Sequence, residues 1–320
     1  MLNIYDFVDK SIVLENELMS AHTSFRTGGP ARYLIMPENT FDIINALRYG
    51  KNAGIEIFTM GCGSNLLVSD KGFDGMIIKI CEKFSDCFVV SEDERTITIR
   101  AQAGCRLSKL ANFAAKLSCT GMEALSGIPG SVGGAVRMNA GAYDGQIADV
   151  LVSSDYIDIA TMEVKTKTAS EHNFRYRYSS YNGEANIIVS ADFKVTKTDN
   201  TQAVYDKMRE LNKRRADKQP LEYPSAGSTF KRPEGHYAGA LIEENGLKGY
   251  RVGGACVSTK HAGFIINIEN ATSDDIMNVI HHVMQTVYNN NKVELTPEIV
   301  FLGKFSFVTL INNLQLNVDN

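Results

Sequence analysis

Two glycine-rich segments have the composition of a backbone that can approach an anion closely. The first is Gly61-Cys62-Gly63-Ser64-Asn65, and the second runs from Ser126 to Gly134. Because glycine has no Cβ and tolerates positive φ, successive N–H groups in such segments can point toward one ligand. Their serines and Asn65 add uncharged hydrogen-bond donors. One such turn is usually a tight connection without a ligand, but two of similar composition favour a diphosphate, and therefore a dinucleotide site.

Neither segment carries a standard nucleotide-binding motif. The GxxxxGK[ST] pattern of a P-loop does not occur in them. Gly61 and Gly63 lack the third glycine of the Rossmann fingerprint and lead into an expected strand, where the fingerprint requires a helix. The predicted site is therefore of neither the P-loop nor the Rossmann type.

Three further segments carry groups that are common in catalysis, although their spacing alone does not assign them. Residues 174–179 alternate aromatic and cationic side chains, so as a strand they would place Arg175 and Arg177 on one face. Ser228 lies in a turn of small residues, but no Gly-x-Ser-x-Gly elbow surrounds it, which gives hydrolase chemistry weak support. Glu298 lies between apolar runs. An edge strand, a surface turn and a solvated carboxylate are the alternative interpretations.

The elements that must position these groups follow from apolar periodicity. It indicates a mixed α/β unit over residues 1–75, a strand-rich unit over 76–200 and an α+β unit over 201–303. The expected helices are 41–52 with Thr40 as its cap, 107–117, 202–215 with Thr201 as its cap, and 274–288 with Thr272 or Ser273 as its cap. The expected strands are 55–60, 66–68, 76–80, 88–91, 96–103, 150–160, 187–195, 253–258 and 264–268.

Composition excludes several classes of protein. The chain has 320 residues, of which 44% are hydrophobic and 22% charged, as in soluble globular proteins with two or three domains. Its formal net charge of −4 disfavours a nucleic-acid partner. The N-terminus has no secretory signal pattern, and the apolar stretch 299–311 is interrupted by Lys304. That stretch is also shorter than the roughly 20 residues of a membrane span, so none is expected.

The cysteines and histidines indicate neither a disulfide framework nor a metal site. No CxxC pair occurs, and free thiols in a reducing cytoplasm are therefore expected. His281 and His282 are adjacent on an expected helix and so point in different directions. The six cysteines are Cys62, Cys81, Cys87, Cys105, Cys119 and Cys256.

Six segments occur in the order found in a known enzyme family. They are SFRTGGPA at 24–31, GCGSNLLVSD at 61–70, SGIPGSVGGAVRMNAGAYDG at 126–145, YRYS at 176–179, AGSTFKRP at 226–233 and PEIVFLG at 297–303. From about residue 20 to 303 the chain resembles the UDP-N-acetylenolpyruvoylglucosamine reductases, which are flavoenzymes of peptidoglycan precursor synthesis. The resemblance implies an α+β protein. Its first two units would form an FAD-binding fold of the vanillyl-alcohol oxidase type in two subdomains, and its third a substrate-binding domain.

The resemblance also implies the cofactor and its contacts. FAD would be bound non-covalently, and NADPH would be the hydride donor. The implied FAD contacts are Gly61, Gly63, Ser64, Asn65, Leu66, Ser126, Gly127, Ile128, Pro129, Gly130, Ser131, Gly133, Gly134 and Asn139.

The family mechanism assigns roles to the three candidate catalytic residues. NADPH would reduce FAD and leave, and the enolpyruvyl ether of a UDP-sugar would take its place. Hydride would then add to C3 of that group, giving UDP-N-acetylmuramate. Arg177 would stabilise the developing enolate, Ser228 would protonate C2, and Glu298 would assist at the same centre. Tyr176, Arg214, Lys218 and Lys231 are the candidate substrate contacts.

The chain resembles the shorter subtype of the family. Fifty-one positions separate Arg177 from Ser228, which leaves little room for the extra substrate-capping loop of longer members. Residues 304–320 match no family segment and receive no function. The enzyme is expected to be a cytoplasmic monomer.

Two other functions remain open on the sequence. One is a different enzyme of the same FAD fold, such as an oxidase or dehydrogenase of a small alcohol, which would give no reason for the Arg177, Ser228 and Glu298 set. The other is a non-catalytic nucleotide-binding module whose binding face would be the basic run 213–218, although such a run is most often a solvated helix end.

Overall fold

A computed structural model describes residues 2–143 and 145–305 of the chain. The N-terminal sheet has four strands in the order β1-β2-β5-β3; β1 is antiparallel to β2, while β2 and β3 are parallel to β5. Helix α1 (Thr40–Ala53) connects β2 to β3. The strands are β1 (Val13–Leu18), β2 (Pro30–Ile35), β3 (Ile57–Met60), β4 (Leu66–Val68) and β5 (Phe73–Lys79).

Two sequence expectations for this unit change. Helix α1 is capped by Asn39, which forms a capping box with Asp42, so Thr40 is the first helical residue and the predicted cap is off by one. Strand β5 spans the boundary predicted at residue 75. Because β5 pairs with β2 and β3, the first unit extends to about residue 80.

The middle sheet is antiparallel and has six strands. Its order is β12-β11-β13-β7-β6, with β8 pairing with the end of β13. Helices α2 (Leu107–Lys116) and α3 (Val132–Met138) belong to this unit. The strands are β6 (Cys87–Glu92), β7 (Thr96–Gln102), β8 (Cys119–Thr120), β11 (Leu151–Asp158), β12 (Glu163–Thr168) and β13 (Ile187–Lys197), and β9 (Gly141–Ala142) pairs with β10 (Gly145–Gln146) in a separate ribbon.

One hydrophobic core joins the first two units. Ile43 of α1, Ile78 of β5, Ile99 of β7 and Leu110 of α2 are all buried in it. Because the two units share this core, they pack as one body that carries both glycine-rich loops.

The last unit packs helices on a three-stranded antiparallel sheet, β14-β15-β16. The buried residues of the long helix α6 follow the helical period, and Thr272 caps it, as one of the two sequence alternatives stated. The elements are α5 (Ala238–Glu244), β14 (Arg251–Val252), β15 (Ala255–Val257), β16 (Ile265–Asn267), α6 (Ser273–Asn291) and β17 (Val300–Leu302). Helix α4 (Thr201–Lys218) was predicted to belong to this unit, but it packs against α2 and β8 of the middle unit, where Val204 and Met208 are buried in the shared core. Asn200 caps α4, so Thr201 is again one residue late.

The last strand returns the chain to the N-terminal unit. Strand β17 pairs in parallel with β4, from Val300 opposite Leu66 to Leu302 opposite Val68. Phe25 and Leu67 belong to the hydrophobic core of the C-terminal unit. The residue before this strand, Ile299, follows Glu298, so the pairing brings that carboxylate to the first glycine segment.

The cysteine expectation is wrong for two of the six residues. Cys62 and Cys81 form a disulfide with a Cα–Cα distance of 5.6 Å, whereas Cys87, Cys105, Cys119 and Cys256 are free thiols. Cys62 follows β3 and Cys81 follows β5, and parallel neighbours bring the ends of two strands together regardless of sequence spacing. Within the described ranges, no helix is both long and apolar enough to cross a bilayer.

Candidate active site

One cavity of about 3100 Å3 lies between the three units. Both glycine segments line it, as do the three candidate catalytic residues, which come from the loop after β12, the segment after α4 and the segment before β17. Its volume is several times the roughly 300–1,000 Å3 of ordinary small-molecule pockets. The cavity therefore has room for a dinucleotide and a second large ligand together.

The two glycine segments form one wall of this cavity. The Ser64 hydroxyl donates to the Pro129 carbonyl across 3.2 Å. A Cβ added at Gly61 would lie 2.2 Å from the Ser131 hydroxyl, and one at Gly130 would lie 3.1 Å from that of Ser64. Side chains at these positions would force the segments apart, which explains why glycine occupies them.

Gly63 meets two requirements that only glycine satisfies. Its φ is +67°, in the left-handed region that L side chains rarely adopt, and an added Cβ would lie 2.1 Å from the His22 carbonyl oxygen. The segment is therefore pressed against the chain at His22, and its polar groups are held at the cavity surface.

Arg177 and Glu298 form an ion pair at the cavity. Arg177 Nε donates to Glu298 Oε1 across 2.7 Å, and the two side chains are 23% and 12% exposed. Arg177 Nη2 also donates to the Gly141 carbonyl across 3.4 Å, and Arg177 has a φ of +52°. The extended conformation considered for residues 174–179 is wrong, because Arg175 and Tyr178 are bridged in a tight turn instead.

The backbone around Glu298 ties it to two other parts of the site. Its N–H donates to the Thr229 carbonyl across 2.8 Å, and its carbonyl accepts from the Asn65 amide across 3.1 Å. Asn65 belongs to the first glycine segment and Thr229 follows Ser228. The backbone of Glu298 therefore fixes the position of the first glycine segment relative to the segment that carries Ser228.

Ser228 is exposed at the cavity wall on a braced segment. It forms a β-bridge with Phe264, and the next residue, Thr229, donates its N–H to the Gly263 carbonyl across 2.9 Å. Gly227 has a φ of +79°, which turns the chain immediately before the serine. A rigid backbone carrying an exposed hydroxyl suits proton delivery to a bound ligand.

Two known protein families match different parts of this chain. The model of an FAD binding domain matches residues 31–166, and that of the UDP-N-acetylenolpyruvoylglucosamine reductase C-terminal domain matches residues 219–302. The reductase of that name from Clostridium tetani is 44% identical over 302 residues, covering 94% of this chain and 96% of the relative. That from Caldanaerobacter subterraneus is 45% identical over 289 residues, covering 90% and 93%.

The crystal structure of UDP-N-acetylenolpyruvylglucosamine reductase from Thermus caldophilus superimposes with a TM-score of 0.75 at 30% identity, covering 90% of this chain and 98% of that one. The chain belongs to the UDP-N-acetylenolpyruvoylglucosamine reductase family. It is an FAD-binding oxidoreductase, and the α+β fold class predicted from the sequence is confirmed.

The reductase cavity contains most of the predicted FAD contacts. Those that line it are Gly61, Gly63, Ser64, Asn65, Leu66, Gly127, Ile128, Pro129, Gly130, Ser131, Gly133 and Gly134. A smooth wall of glycines with serine and amide donors fits the diphosphate of FAD. This part of the chain therefore agrees with the cofactor of the family.

Two predicted FAD contacts lie away from the cavity lining. Ser126 is buried and its hydroxyl donates to the Glu123 carbonyl across 2.7 Å. Asn139 is buried at the end of α3, where its amide donates to Gln146 and to the Arg175 carbonyl while its oxygen accepts from the Ala148 N–H. Both side chains form hydrogen bonds with groups inside the protein, and these bonds hold the segments next to the cavity in place.

The candidate substrate contacts divide in the same way. Tyr176, Lys218 and Lys231 line the cavity, whereas Arg214 is outside the lining and its guanidinium lies 4.7 Å from the Tyr143 ring centre.

The neighbouring Arg215 does line the cavity, and sequence reasoning missed it. It donates to the Gly127 carbonyl, and burial lowers the pKa of its guanidinium. A signal was present, because Arg215 lies four residues after the buried Leu211 and therefore on the inward face of α4.

Proposed function

We propose that this reductase converts the enolpyruvyl ether of UDP-N-acetylglucosamine to UDP-N-acetylmuramate, in peptidoglycan precursor synthesis. NADPH is the hydride donor and non-covalent FAD the carrier. The curated relatives carry the name of this activity over more than nine-tenths of the chain. The observation that carries the proposal is the convergence of Arg177, Glu298 and Ser228 on one cavity that both glycine segments also line.

The overall reaction adds one hydride and one proton across a carbon–carbon double bond. Hydride transfer from the nicotinamide to C3 of the enolpyruvyl group is the chemistry that FAD, held by the two glycine segments, would supply. Negative charge then develops at C2 and on the attached carboxylate. The protein must stabilise that charge and supply a proton to C2, which leaves a methyl group and a new C–H bond in the product.

Arg177 is placed to stabilise the developing negative charge. The Arg177 side chain is 23% exposed, and away from bulk water the attraction of its guanidinium for an anion is stronger than in water. Its position is fixed by Glu298 and by the Gly141 carbonyl. Because the pair is formed within the protein, little reorganisation is required when charge develops.

Ser228 is the proton donor in this proposal. Its hydroxyl is exposed at the cavity wall, where a serine alcohol can donate its proton to a developing carbanion. Glu298 orients Arg177 and assists at the same centre. Lys218, Lys231 and Arg215 are among the cationic side chains that line the cavity, and we propose them as contacts of the UDP diphosphate.

The FAD would lie against the two glycine segments, 61–65 in the first unit and 126–134 in the second. Residues 201–303 would close over the UDP-sugar. The enzyme would act as a monomer in the cytoplasm.

The direct test separates the two half-reactions of the holoenzyme. Under anaerobic conditions, NADPH should bleach the flavin absorbance, and the enolpyruvyl UDP-sugar should restore it rapidly with formation of UDP-N-acetylmuramate. A flavin that NADPH reduces but this substrate does not reoxidise would contradict the proposal. Reduction by a small alcohol instead would point to an oxidase or dehydrogenase, and a protein that takes up no flavin would contradict both.

A further inference from the structure

Three buried polar residues lie at the base of the loop that carries Arg177. Ser154 of β11 is 1% exposed, and His172 and Tyr181, at the two ends of the loop, are each fully buried. We call these three residues the base network. They are outside the cavity lining, so the reaction proposed above does not use them directly.

The hydrogen bonds of the base network run in one direction. His172 Nδ1 lies 2.7 Å from the Thr168 carbonyl, which can only accept, so Nδ1 carries the proton and Nε2 is an acceptor. Ser154 Oγ lies 2.9 Å from that Nε2 and therefore donates to it. The Tyr181 hydroxyl, 2.8 Å from Ser154 Oγ, donates in turn to the serine oxygen. Every polar atom of the base network is satisfied.

Ring packing and one backbone hydrogen bond close the loop above the base network. His172 stacks on Phe174 with 4.9 Å between ring centres, and Tyr181 meets His172 edge-on at 5.6 Å. The Ser180 N–H donates to the His172 carbonyl across 2.6 Å. The two ends of residues 172–181 are therefore fixed to each other and, through Ser154, to the central sheet.

Charged groups face the base network from its neighbours. Lys167 of β12 lies 4.4 Å from the ring centre of Tyr181 and pairs with Glu184 across 2.8 Å. Lys167 also donates to the Ser180 hydroxyl across 3.0 Å. Glu171 lies on the same turn as His172 and accepts from Thr168. These contacts hold the same loop ends from the outside.

The position of Arg177 depends on this closure. Arg177 lies midway along the loop in a left-handed conformation, and the next two residues are held by the Arg175–Tyr178 bridge and by the Ser179 hydroxyl, which donates to the Arg137 carbonyl across 2.7 Å. A tight loop closed at its base transmits a shift of either end to its tip. A displacement of about 1 Å can cost about 100-fold in rate when a charged group must meet a transition state.

We infer that Ser154, His172 and Tyr181 are positioning residues for Arg177, the group that stabilises negative charge in the reduction of the enolpyruvyl ether. This inference rests on the proposed function. The base network acts through the loop it closes and touches no ligand. Its role is specific to the second half-reaction, because flavin reduction by NADPH does not require the Arg177 charge.

The experiment compares half-reactions in Ser154→Ala and Tyr181→Phe holoenzymes by anaerobic stopped flow. Each variant removes one hydroxyl of the base network and leaves the packing nearly unchanged. Reoxidation by the enolpyruvyl UDP-sugar should slow by about 10- to 100-fold, while reduction by NADPH changes by less than about twofold. Ser190→Ala is the matched control. Its hydroxyl bonds Asp155 across 3.0 Å in the same sheet, so both of its half-reactions should match wild type.

Equal slowing of both half-reactions, or wild-type reoxidation in both variants, would overturn the inference. Hydrogen–deuterium exchange of residues 173–180 in the holoenzyme is a readout that needs no substrate. Faster exchange there in Ser154→Ala, but not in Ser190→Ala, supports the role, and unchanged exchange contradicts it. If wild-type flavin is not reoxidised by the enolpyruvyl substrate, the proposed function fails, and exchange still decides the inference. Tyr181→Phe serves where Ser154→Ala does not fold.

Discussion

At the scale of single residues, the site depends on groups that are held before any ligand arrives. The ion pair between Arg177 and Glu298 is half-buried, so removing either partner would leave the other with an uncompensated charge in a region of low dielectric. Exposed ion pairs contribute little to stability, but a pair that faces a cavity fixes the direction of a charge. The pair therefore fixes the direction of the Arg177 guanidinium, and the loss of one partner should lower folding stability as well as catalysis.

Ser228→Ala should separate the two halves of catalysis. The Ser228 hydroxyl is exposed and its removal leaves the backbone braces of Thr229 in place. Flavin reduction by NADPH should stay within about twofold of wild type, whereas reoxidation by the enolpyruvyl substrate should fall by about 100- to 10,000-fold. Stopped-flow absorbance measures both. Ser85→Ala is the control, because Ser85 lies outside the cavity lining and its hydroxyl donates to the Glu82 carbonyl. Equal losses in both half-reactions would argue against a proton-donor role.

At the scale of elements, the buried turn at His172 makes stability depend on pH. Burial lowers the pKa of His172 below its ordinary 6.5, and Lys167 lowers it further while Glu171 opposes this. The folded state then binds fewer protons than the unfolded state, so stability is complete above the ordinary pKa and is lost as pH falls through it. Between pH 7 and 5 the free energy of unfolding should decrease with a slope of at most about 1.4 kcal/mol per pH unit from this group.

Urea unfolding of wild type and His172→Gln at several pH values measures that slope. His261 is partly buried, burial also lowers its pKa, and it contributes to the wild-type curve, so only the difference between the two proteins belongs to His172. The His172→Gln curve should be flatter below pH 6.5. Parallel curves would mean that His172 titrates alike in the folded and unfolded states.

The Cys62–Cys81 disulfide closes the first glycine segment against the end of β5. The two cysteines are 19 residues apart, and in the chain-entropy model a loop of about that length restricts the unfolded state by about 3 kcal/mol. Reduction with a dithiol should therefore lower the free energy of unfolding by about 2–4 kcal/mol. A Cys62→Ser/Cys81→Ser double variant should have the lower value and no longer respond to the reductant. A reductant effect that persists in this variant would exclude the disulfide as its cause.

The sequence predicted the elements whose residues repeat with a clear period. The helices α1, α2, α4 and α6 have apolar stripes, and their predicted ends are within about three residues of the observed ones. Helix α3 was missed because two glycines dilute its stripe, and β17 because three residues give no period. The turn at Arg177 was missed for a different reason. A positive φ at an arginine has no signature in residue type, since glycine and asparagine are the usual signals.

The candidate site was predicted less by spacing than by resemblance to a family. Glycine placement predicted a diphosphate site, and both glycine segments do line one cavity, yet nothing in spacing united Arg177 with Glu298 across 121 positions. Pairing of β17 with β4 brings them together, and long-range pairing of this kind leaves little trace in local pattern. The family resemblance assigned Ser126 and Asn139 to FAD, and in the structure the side chains of both residues bond groups within the protein.

At the scale of the whole molecule, one short strand, β17, connects the first glycine segment to the C-terminal unit. The Val300 N–H donates to the Asn65 carbonyl across 3.0 Å, and the Asn65 side chain holds the carbonyl of Glu298. Phe25 and Leu67 extend the C-terminal core into the N-terminal unit. A ligand bound to the first glycine segment should therefore stabilise both units together. A substitution that disrupts β17 should in turn weaken binding of the cofactor.

Val300→Pro tests this coupling, because proline removes the N–H that bonds Asn65 and cannot take part in the ladder at that point. Val300→Ala is the matched control, since the Val300 side chain is exposed and alanine keeps the N–H. Proline should lower the free energy of unfolding by about 1–3 kcal/mol, weaken FAD retention and slow reoxidation by the enolpyruvyl substrate, since Glu298 lies two residues away. The Val300→Ala variant should stay within about 0.5 kcal/mol of the wild-type free energy of unfolding and keep its flavin.

Urea unfolding with flavin fluorescence measures stability and FAD retention in one titration, and anaerobic stopped flow measures reoxidation. Loss of stability in Val300→Pro with unchanged FAD affinity and reoxidation would show that β17 holds the two units together without coupling them to the site.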